Sequence, residues 1–426
     1  KFAMFGLNFF VRRQVVATNA RNFSHSRVVA QSSSEQKELK KTALYDFHVA
    51  QGGKMVEFGG WSMPLQYKSA GVVTSVHHTR KKASIFDVSH MCQLLVTGTD
   101  HLNFLEQVCP TDFRALDPLQ GTYTALTNSK GGIIDDCVVT RLHEHAYMVV
   151  NAGCAQKDLA HLREQRQLYL ERNPSAQVEL EILSDQSLIA LQGPLAAEVL
   201  QRHLGGGIDL EKIGFMATPS NSPLTLSGIQ GCRVTRCGYT GEDGFEIGVP
   251  STDAAALAEI LLDTNIQSES DPTVLPAGLG ARDILRLEAG LCLYGNDIDD
   301  STTPLEANIA FIVSKSRRDN ANFLGAQVIL DQFKNKTHQR RRVGFELIDK
   351  GIARAHSRIL SPQDEVIGEI TSGAFSPTLQ RPIAMGYVQK KFAKLGTELT
   401  CDVRGKKVAM KVVKMPFYKP NYYFVD

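Results

Sequence analysis

Short runs of alternating apolar and polar residues dominate the chain from about residue 42 to residue 320, the period-two signature of half-buried strands. Residues 91–98, 133–140 and 146–150 read as strands of this kind, while 155–170 and 252–262 carry the spacing of amphipathic helices. Strands and helices do not alternate in regular βαβ units, and no G-x-G-x-x-G follows a strand, which disfavours a doubly wound nucleotide-binding sheet. The phosphate-cradling pattern G-x-x-x-x-G-K-[ST] is absent too. Beyond about Phe323 the texture changes to short strands at regular intervals, over 342–347, 358–360, 366–370, 384–388, 398–403 and 407–413. Ser361-Pro362, Ser372-Gly373 and Arg404-Gly405 read as turns between them. This spacing predicts a small antiparallel barrel or sandwich that forms its own domain. The closing aromatics Phe417, Tyr418, Tyr422 and Tyr423 are expected to pack back onto the body, because exposed rings leave apolar surface in water.

At 426 residues the chain exceeds the usual single-domain size, so two or three domains are expected. With 43% apolar and 22% charged residues it has the composition of an ordinary globular protein. The first 34 residues differ, because they hold Lys1, Arg12, Arg13, Arg21 and Arg27 and no acid. Such a leader reads as a mitochondrial transit peptide over 1–23, cut between Phe23 and Ser24, with a polar linker over 24–41 and order beginning near Thr42. Cleavage there removes four basic residues and takes the formal charge from +2 to −2. No basic stripe with interleaved aromatics then remains for nucleic acid, and the cluster Arg340-Arg341-Arg342 reads as a solvated strand start. Apolar runs such as Met148-Val149-Val150 are too short to span a bilayer, so no membrane partner is expected. The eight cysteines lack any C-x-x-C pair, and His143 and His145 read as a surface loop, so neither a disulfide framework nor a metal site is expected.

Three segments carry candidate chemistry. Arg236 to Glu246 packs Gly238, Gly241 and Gly244 around Tyr239, with glycines that allow positive φ or close approach to a ligand and a ring that offers a π face. Glu242 and Glu246 lie four apart about its last turn, so one is expected to face solvent while the other lines a cavity and grips a planar array of donors. Asn128 to Gly132 is a turn feeding a strand in which Asp136 shares a row with Ile134 and Val138, and Asp135 shares the other with Ile133, Cys137 and Val139. Either acid therefore sits among apolar neighbours, where desolvation raises its pKa and readies it for proton transfer or for bonding a substrate nitrogen. Satisfaction by turn amides is the equal alternative for either one. Residues 280–290 read as a helix with Arg282 and Arg286 on one face, able to hold a carboxylate or to pair internally with Asp283 and Glu288.

Several ordered motifs together resemble a known family. They are Gly59-Gly60-Trp61-Ser62-Met63-Pro64, Phe86-Asp87-Val88-Ser89-His90-Met91, Gly131-Gly132-Ile133-Ile134-Asp135-Asp136, Val150-Asn151-Ala152, Leu191-Gln192-Gly193-Pro194 and Cys237 to Glu246. Ala281 to Asp297, Met415-Pro416-Phe417 and Asn421-Tyr422-Tyr423 complete the set. From about Thr42 to its end the chain resembles the T-protein family of the glycine cleavage system, the aminomethyltransferases. The resemblance implies an α+β, three-domain cloverleaf: two interwoven α+β domains around a central folate cavity over 42–320, and a C-terminal antiparallel β-barrel over 321–426. It implies transfer of the methylene of an aminomethyl group from the lipoyl arm of H-protein to tetrahydrofolate as co-substrate, with release of ammonia, in the mitochondrial matrix. The second acid of the Gly-Gly-x-x-Asp-Asp strand, Asp136, takes the catalytic position, and Glu246 the position that binds the aminopterin edge. Arg282, Tyr422, Tyr239, Asn151 and Met91 fall at the family's other folate-lining positions. One departure is Phe311 after Thr-Pro-x-Glu, where many relatives carry Trp, which costs stacking area and the indole donor. Folate-dependent iron–sulfur assembly factors on the same scaffold carry Lys-Gly-Cys-x-x-Gly-Gln-Glu where this chain has Cys237 to Glu242, and that substitution favours the transferase.

Overall fold

The computed structural model describes residues 38–205, 207–220, 222–266 and 271–425, and Leu39–Asp426 forms one compact unit. The leader, its cleavage site and most of the linker expected over 24–41 lie outside the described residues.

Two sheets are built from interleaved stretches of chain. An antiparallel five-stranded sheet runs Gly121–Thr127, Ile133–Arg141, Ala146–Val150, Cys92–Thr97, Glu179–Ile182 in spatial order. A six-stranded sheet runs Leu224–Leu226, Ile229–Thr235, Gly244–Pro250, Gln186–Gln192, Ala83–Asp87, Val274–Pro276, with only its last pair parallel. The chain enters the second sheet at residue 83, leaves to build the first, and returns at residue 186. The five-stranded sheet is thus one continuous insertion, and the six-stranded sheet pairs strands from either side of it. Each sheet buries one face under its own helices. The five-stranded sheet lies against the helices His101–Val108 and Ala155–Arg172 through Leu94, Phe104, Leu105, Cys137, Val139 and Leu162. The six-stranded sheet packs Ile247, Val249 and Phe245 against Leu257 and Leu261 of the helix Ala254–Leu262. A further cluster joins Leu95, Tyr147 and Val149 of one sheet to Phe86, Leu188 and Ala190 of the other under Ala281 and Leu285. Each fully buried Leu or Phe in such a layer contributes about 1.5–3 kcal/mol.

The helix Leu279–Glu288 spans this junction with Arg286 buried, and the chain turns away at Gly290, whose φ of 70° suits a residue without Cβ. Barrel strands begin at Arg340, and the order Arg340–Leu347, Arg381–Gln389, Val366–Ser376, Arg358–Leu360, Glu398–Val403, Lys406–Val413 closes on itself. Closure selects the barrel from the two architectures its spacing allowed and leaves no open edge. Between Phe323 and the barrel lies the helix Ala326–Asn335, whose Ala326 and Ile329 join Ala125 and Ile133 in one core cluster.

Two local expectations are corrected. Ser372-Gly373 is no turn but lies inside the strand Val366–Ser376 at a register shift, where the Ser372 hydroxyl bonds Asp297. Arg342 is buried rather than solvated, because its guanidinium satisfies the carbonyls of Ala307 and Gly290 between barrel and body. The aromatic tail does fold back: Tyr418 lies under the Arg80 guanidinium, Tyr423 under Arg236, and Phe215 N–H donates to Tyr423 O at 2.7 Å. All eight cysteines are free thiols. Among the described residues no helix is long and apolar enough to cross a membrane.

Candidate active site

The two adjacent acids of the Ile133–Arg141 strand, open alternatives by sequence, have different surroundings. Asp135 is fully buried and accepts from Asn151 twice, from the backbone N–H at 2.9 Å and from Nδ2 at 2.8 Å. Asp136 is half-buried, accepting from the Tyr123 hydroxyl at 3.1 Å and from Asn151 Nδ2 at 2.9 Å. Pairing brings these partners in. Tyr123 opposes Val138, two residues along the same face as Asp136, so its ring reaches the carboxylate diagonally. Asn151 follows Val150, which opposes Cys137, and so stands beside both acids. Its two amide hydrogens serve Asp135 Oδ1, Asp136 Oδ1 and the Asp136 carbonyl, so one hydrogen is shared.

Burial pushes the Asp136 carboxyl up to about 7, the charge of Asp135 adds to the rise, and the bonds from Tyr123 and Asn151 oppose it. A carboxyl poised at neutral pH in a half-buried wall can exchange a proton with a bound base at little cost.

Arg236 to Glu246 supplies a facing wall. Glu246 is half-buried, its pKa raised by burial against the opposing charge of Arg282, and with Cys237 it lines a narrow cavity between the two sheets. Arg282 stacks its guanidinium 4.7 Å over the Tyr239 ring, and its buried Nη1 has no partner. An unmet buried donor costs about 1–3 kcal/mol, a penalty that a ligand acceptor would remove. Tyr239 donates its hydroxyl to the Cys292 carbonyl and feels the charges of Asp136 and Arg282, which ties the two walls together.

Three expectations for these segments change. Glu242 does not face solvent: it is buried against Arg80 at 2.8 Å and accepts from Asn421 Nδ2 at 2.9 Å, anchoring the tail. Of the three glycines only Gly241 takes positive φ, at 78°, while a Cβ on Gly238 or Gly244 would meet the Gln192 side chain, so a buried glutamine and not a ligand requires them. The two helix arginines divide their labour. Arg286 pairs with Asp283 and with buried Asp297, Glu288 pairs with Arg80, and Arg282 is left free to bind.

Asp136, Asn151, Tyr239, Glu246 and Arg282 thus share one electrostatic neighbourhood. Met91 is half-buried and packs at the junction between the sheets, beside His90, whose pKa burial lowers to about 4 with help from the Arg282 charge. Tyr422 stands apart from that neighbourhood, stacked 4.2 Å from Phe215 and near the charges of Arg80 and Glu242. Phe215 borders a cavity of about 590 Å³ that is also lined by Tyr123, Met216, Phe311 and Phe424, a volume typical of small-molecule sites. Phe311 lies 6.2 Å from the Tyr123 ring and is 71% exposed at this mouth. Sequence reasoning missed Tyr123, His90 and Phe215. Only Tyr123 left a signal, through the hairpin pairing that Asn128–Gly132 sets.

Known proteins resemble this chain over most of its length. Residues 44–317 match the family described as GCVT N-terminal domain, and residues 340–419 match the glycine cleavage T-protein C-terminal barrel domain. The mitochondrial aminomethyltransferase of Mus musculus is 48% identical over 392 residues, covering 92% of this chain and 93% of the relative. That of Mesembryanthemum crystallinum is 50% identical over 394 residues, covering 92% of each chain. The crystal structure of glycine cleavage system aminomethyltransferase T from Bartonella henselae superposes with a TM-score of 0.81 at 39% identity, over 91% of this chain and all of that one. With both domain families matched in order across most of its length, the chain belongs to the glycine cleavage T-protein family of aminomethyltransferases.

Proposed function

We propose that the chain moves the methylene of an aminomethyl group from the lipoyl arm of H-protein to tetrahydrofolate in the mitochondrial matrix, giving 5,10-methylenetetrahydrofolate and ammonia. Membership of the family makes it an aminomethyltransferase of glycine cleavage. The donor carbon is bonded to a lipoyl sulfur and to nitrogen. Both bonds break and are replaced by bonds to N5 and N10 of tetrahydrofolate, whose two N–H protons leave with the thiol and with ammonia. The protein has to hold the pterin nitrogens at that carbon and to stabilise the cationic iminium character that develops as ammonia departs.

The observation that carries this reading is Asp136, poised near neutral pH in a half-buried wall and clamped by Tyr123 and Asn151. Its ionised form places negative charge beside the developing cation, and its proton affinity suits exchange with a pterin nitrogen. Glu246 and the free N–H of Arg282 supply an acceptor and a donor for the planar aminopterin edge, with the Tyr239 ring beside them. Met91 adds an apolar side chain from the sheet junction, while Tyr422 would reach the folate through its stack on Phe215, which borders the larger cavity. The apolar mouth formed by Phe311 and Phe424 suits passage of the hydrocarbon lipoyl arm. Ammonia release from aminomethylated H-protein, measured with and without tetrahydrofolate, tests the proposal. Folate-stimulated release supports it, and release indifferent to folate overturns it.

A further inference from the structure

Behind the Asp135–Asn151–Asp136 clamp lies a third acid that the proposed reaction does not use. Asp158 sits in the first turn of the helix Ala155–Arg172, is 0% exposed, and neither of its carboxyl oxygens has a hydrogen-bond donor. One oxygen of Asp158, one of Asp135 and the Cys154 sulfur lie within 4.8 Å of one another. Two ionised carboxylates in so dry a place would repel strongly, since desolvation alone costs several kcal/mol per ion. Asp135 is the one that acts as an anion, because it accepts two N–H bonds from Asn151. Two features favour charge on Asp158, and neither suffices. The helix N-terminus is worth only about 0.3–1 kcal/mol. Lys157, next in sequence, turns its ammonium to the Tyr294 hydroxyl and to Asp300.

We infer that Asp158 is a positioning residue, held as a neutral carboxylic acid that donates its proton to the Asp135 carboxylate and so fixes the Asp135–Asn151 clamp on Asp136. The inference rests on the reading of Asp136 as the catalytic carboxylate. The surroundings agree with it: burial and the Asp135 charge push Asp158 up to about 10, and the Cys154 thiol is raised too, so it remains a neutral S–H. The other titratable groups coupled to this cluster are Cys92, Cys137, Tyr294 and Lys157. Cys92, Cys137 and Tyr294 are each raised, so they stay neutral near pH 7.

The test combines two variants with two readouts. Asp158→Asn keeps an N–H donor toward Asp135, whereas Asp158→Ala removes it. The Asn variant is expected to keep turnover within about two-fold of wild type with the acid limb of its pH profile in place. In the Ala variant Asp135 becomes more basic, so the Asp135–Asp136 pair completes its ionisation at higher pH and the acid limb moves alkaline and broadens. A loss of packing alone would instead lower turnover by one factor at every pH. Independently of turnover, infrared difference spectra above neutral pH should show a protonated-carboxyl C=O band in the wild type that vanishes in Asp158→Asn. Absence of that band, or an Asn variant as damaged as the Ala variant, overturns the inference. Normal turnover in Asp136→Asn overturns the catalytic reading instead, and leaves the infrared result to stand by itself.

Discussion

Replacing Tyr123 by Phe removes one hydrogen bond to Asp136 while keeping the ring that lines the larger cavity. A bond to a charged acceptor is worth about 1.5–3 kcal/mol, and at 3.1 Å this one is longer than the ~2.7–2.8 Å usual for O–H···O, so the lower end applies. That bond favours the ionised form of Asp136, and at about 1.36 kcal/mol per pH unit its loss moves the carboxyl from about 7 to about 8. The ionised fraction at neutral pH then falls from about one half to about one tenth, a roughly five-fold loss of turnover that disappears about two pH units higher. Single-turnover formation of methylenetetrahydrofolate across that range measures the acid limb directly. A limb that stays in place, or an equal loss at every pH, would refute the role given to Tyr123 and the assignment of the limb to Asp136.

Asp136→Asn is expected to cut turnover severely while leaving the folate dissociation constant nearly unchanged, as isothermal calorimetry would show. The same variant tests the pKa through stability. The folded carboxyl titrates above its unfolded value, so the wild type holds that stability at acid pH and loses it as pH rises through about 7; thermal melts above neutral pH should find the Asn variant the more stable. Glu246→Gln should weaken folate binding by about 1–3 kcal/mol, the scale of a lost charge-assisted bond, and an unaltered constant would contradict its pterin role. Asn421→Ala removes a tail anchor on buried Glu242, so the tail should loosen, with faster amide exchange at Tyr422 and Tyr423 and little change at Asp136.

Much of this fold was legible in the chain. Both 146–150 and 398–403 read as strands with the observed bounds; period two survives over 398–403 because one face is buried, whereas 146–150 is apolar throughout and buried on both faces. The barrel was legible from strand spacing, and the strand carrying Asp135 and Asp136 from its turn. Ser372-Gly373 and Arg342 were misread for a common reason: each is polar, and each meets a partner far away in sequence, Asp297 in one case and the carbonyls of Ala307 and Gly290 in the other. Glu242 was misread in the same way, since nothing local announces Arg80.

The sequence by itself determined the elements, the barrel, the family and the acids and rings near the chemistry, because these follow from periodicity and from residue types at fixed spacing. Only the tertiary structure showed which of two adjacent acids is fully buried and which keeps an exposed edge, which arginine of an i, i+4 pair is left unpaired, and which glutamate borders a cavity while the other is consumed by Arg80. Those choices depend on burial and on charges brought together from distant parts of the chain. Desolvation and Coulomb energies are set by distance in space, which one-dimensional spacing does not encode.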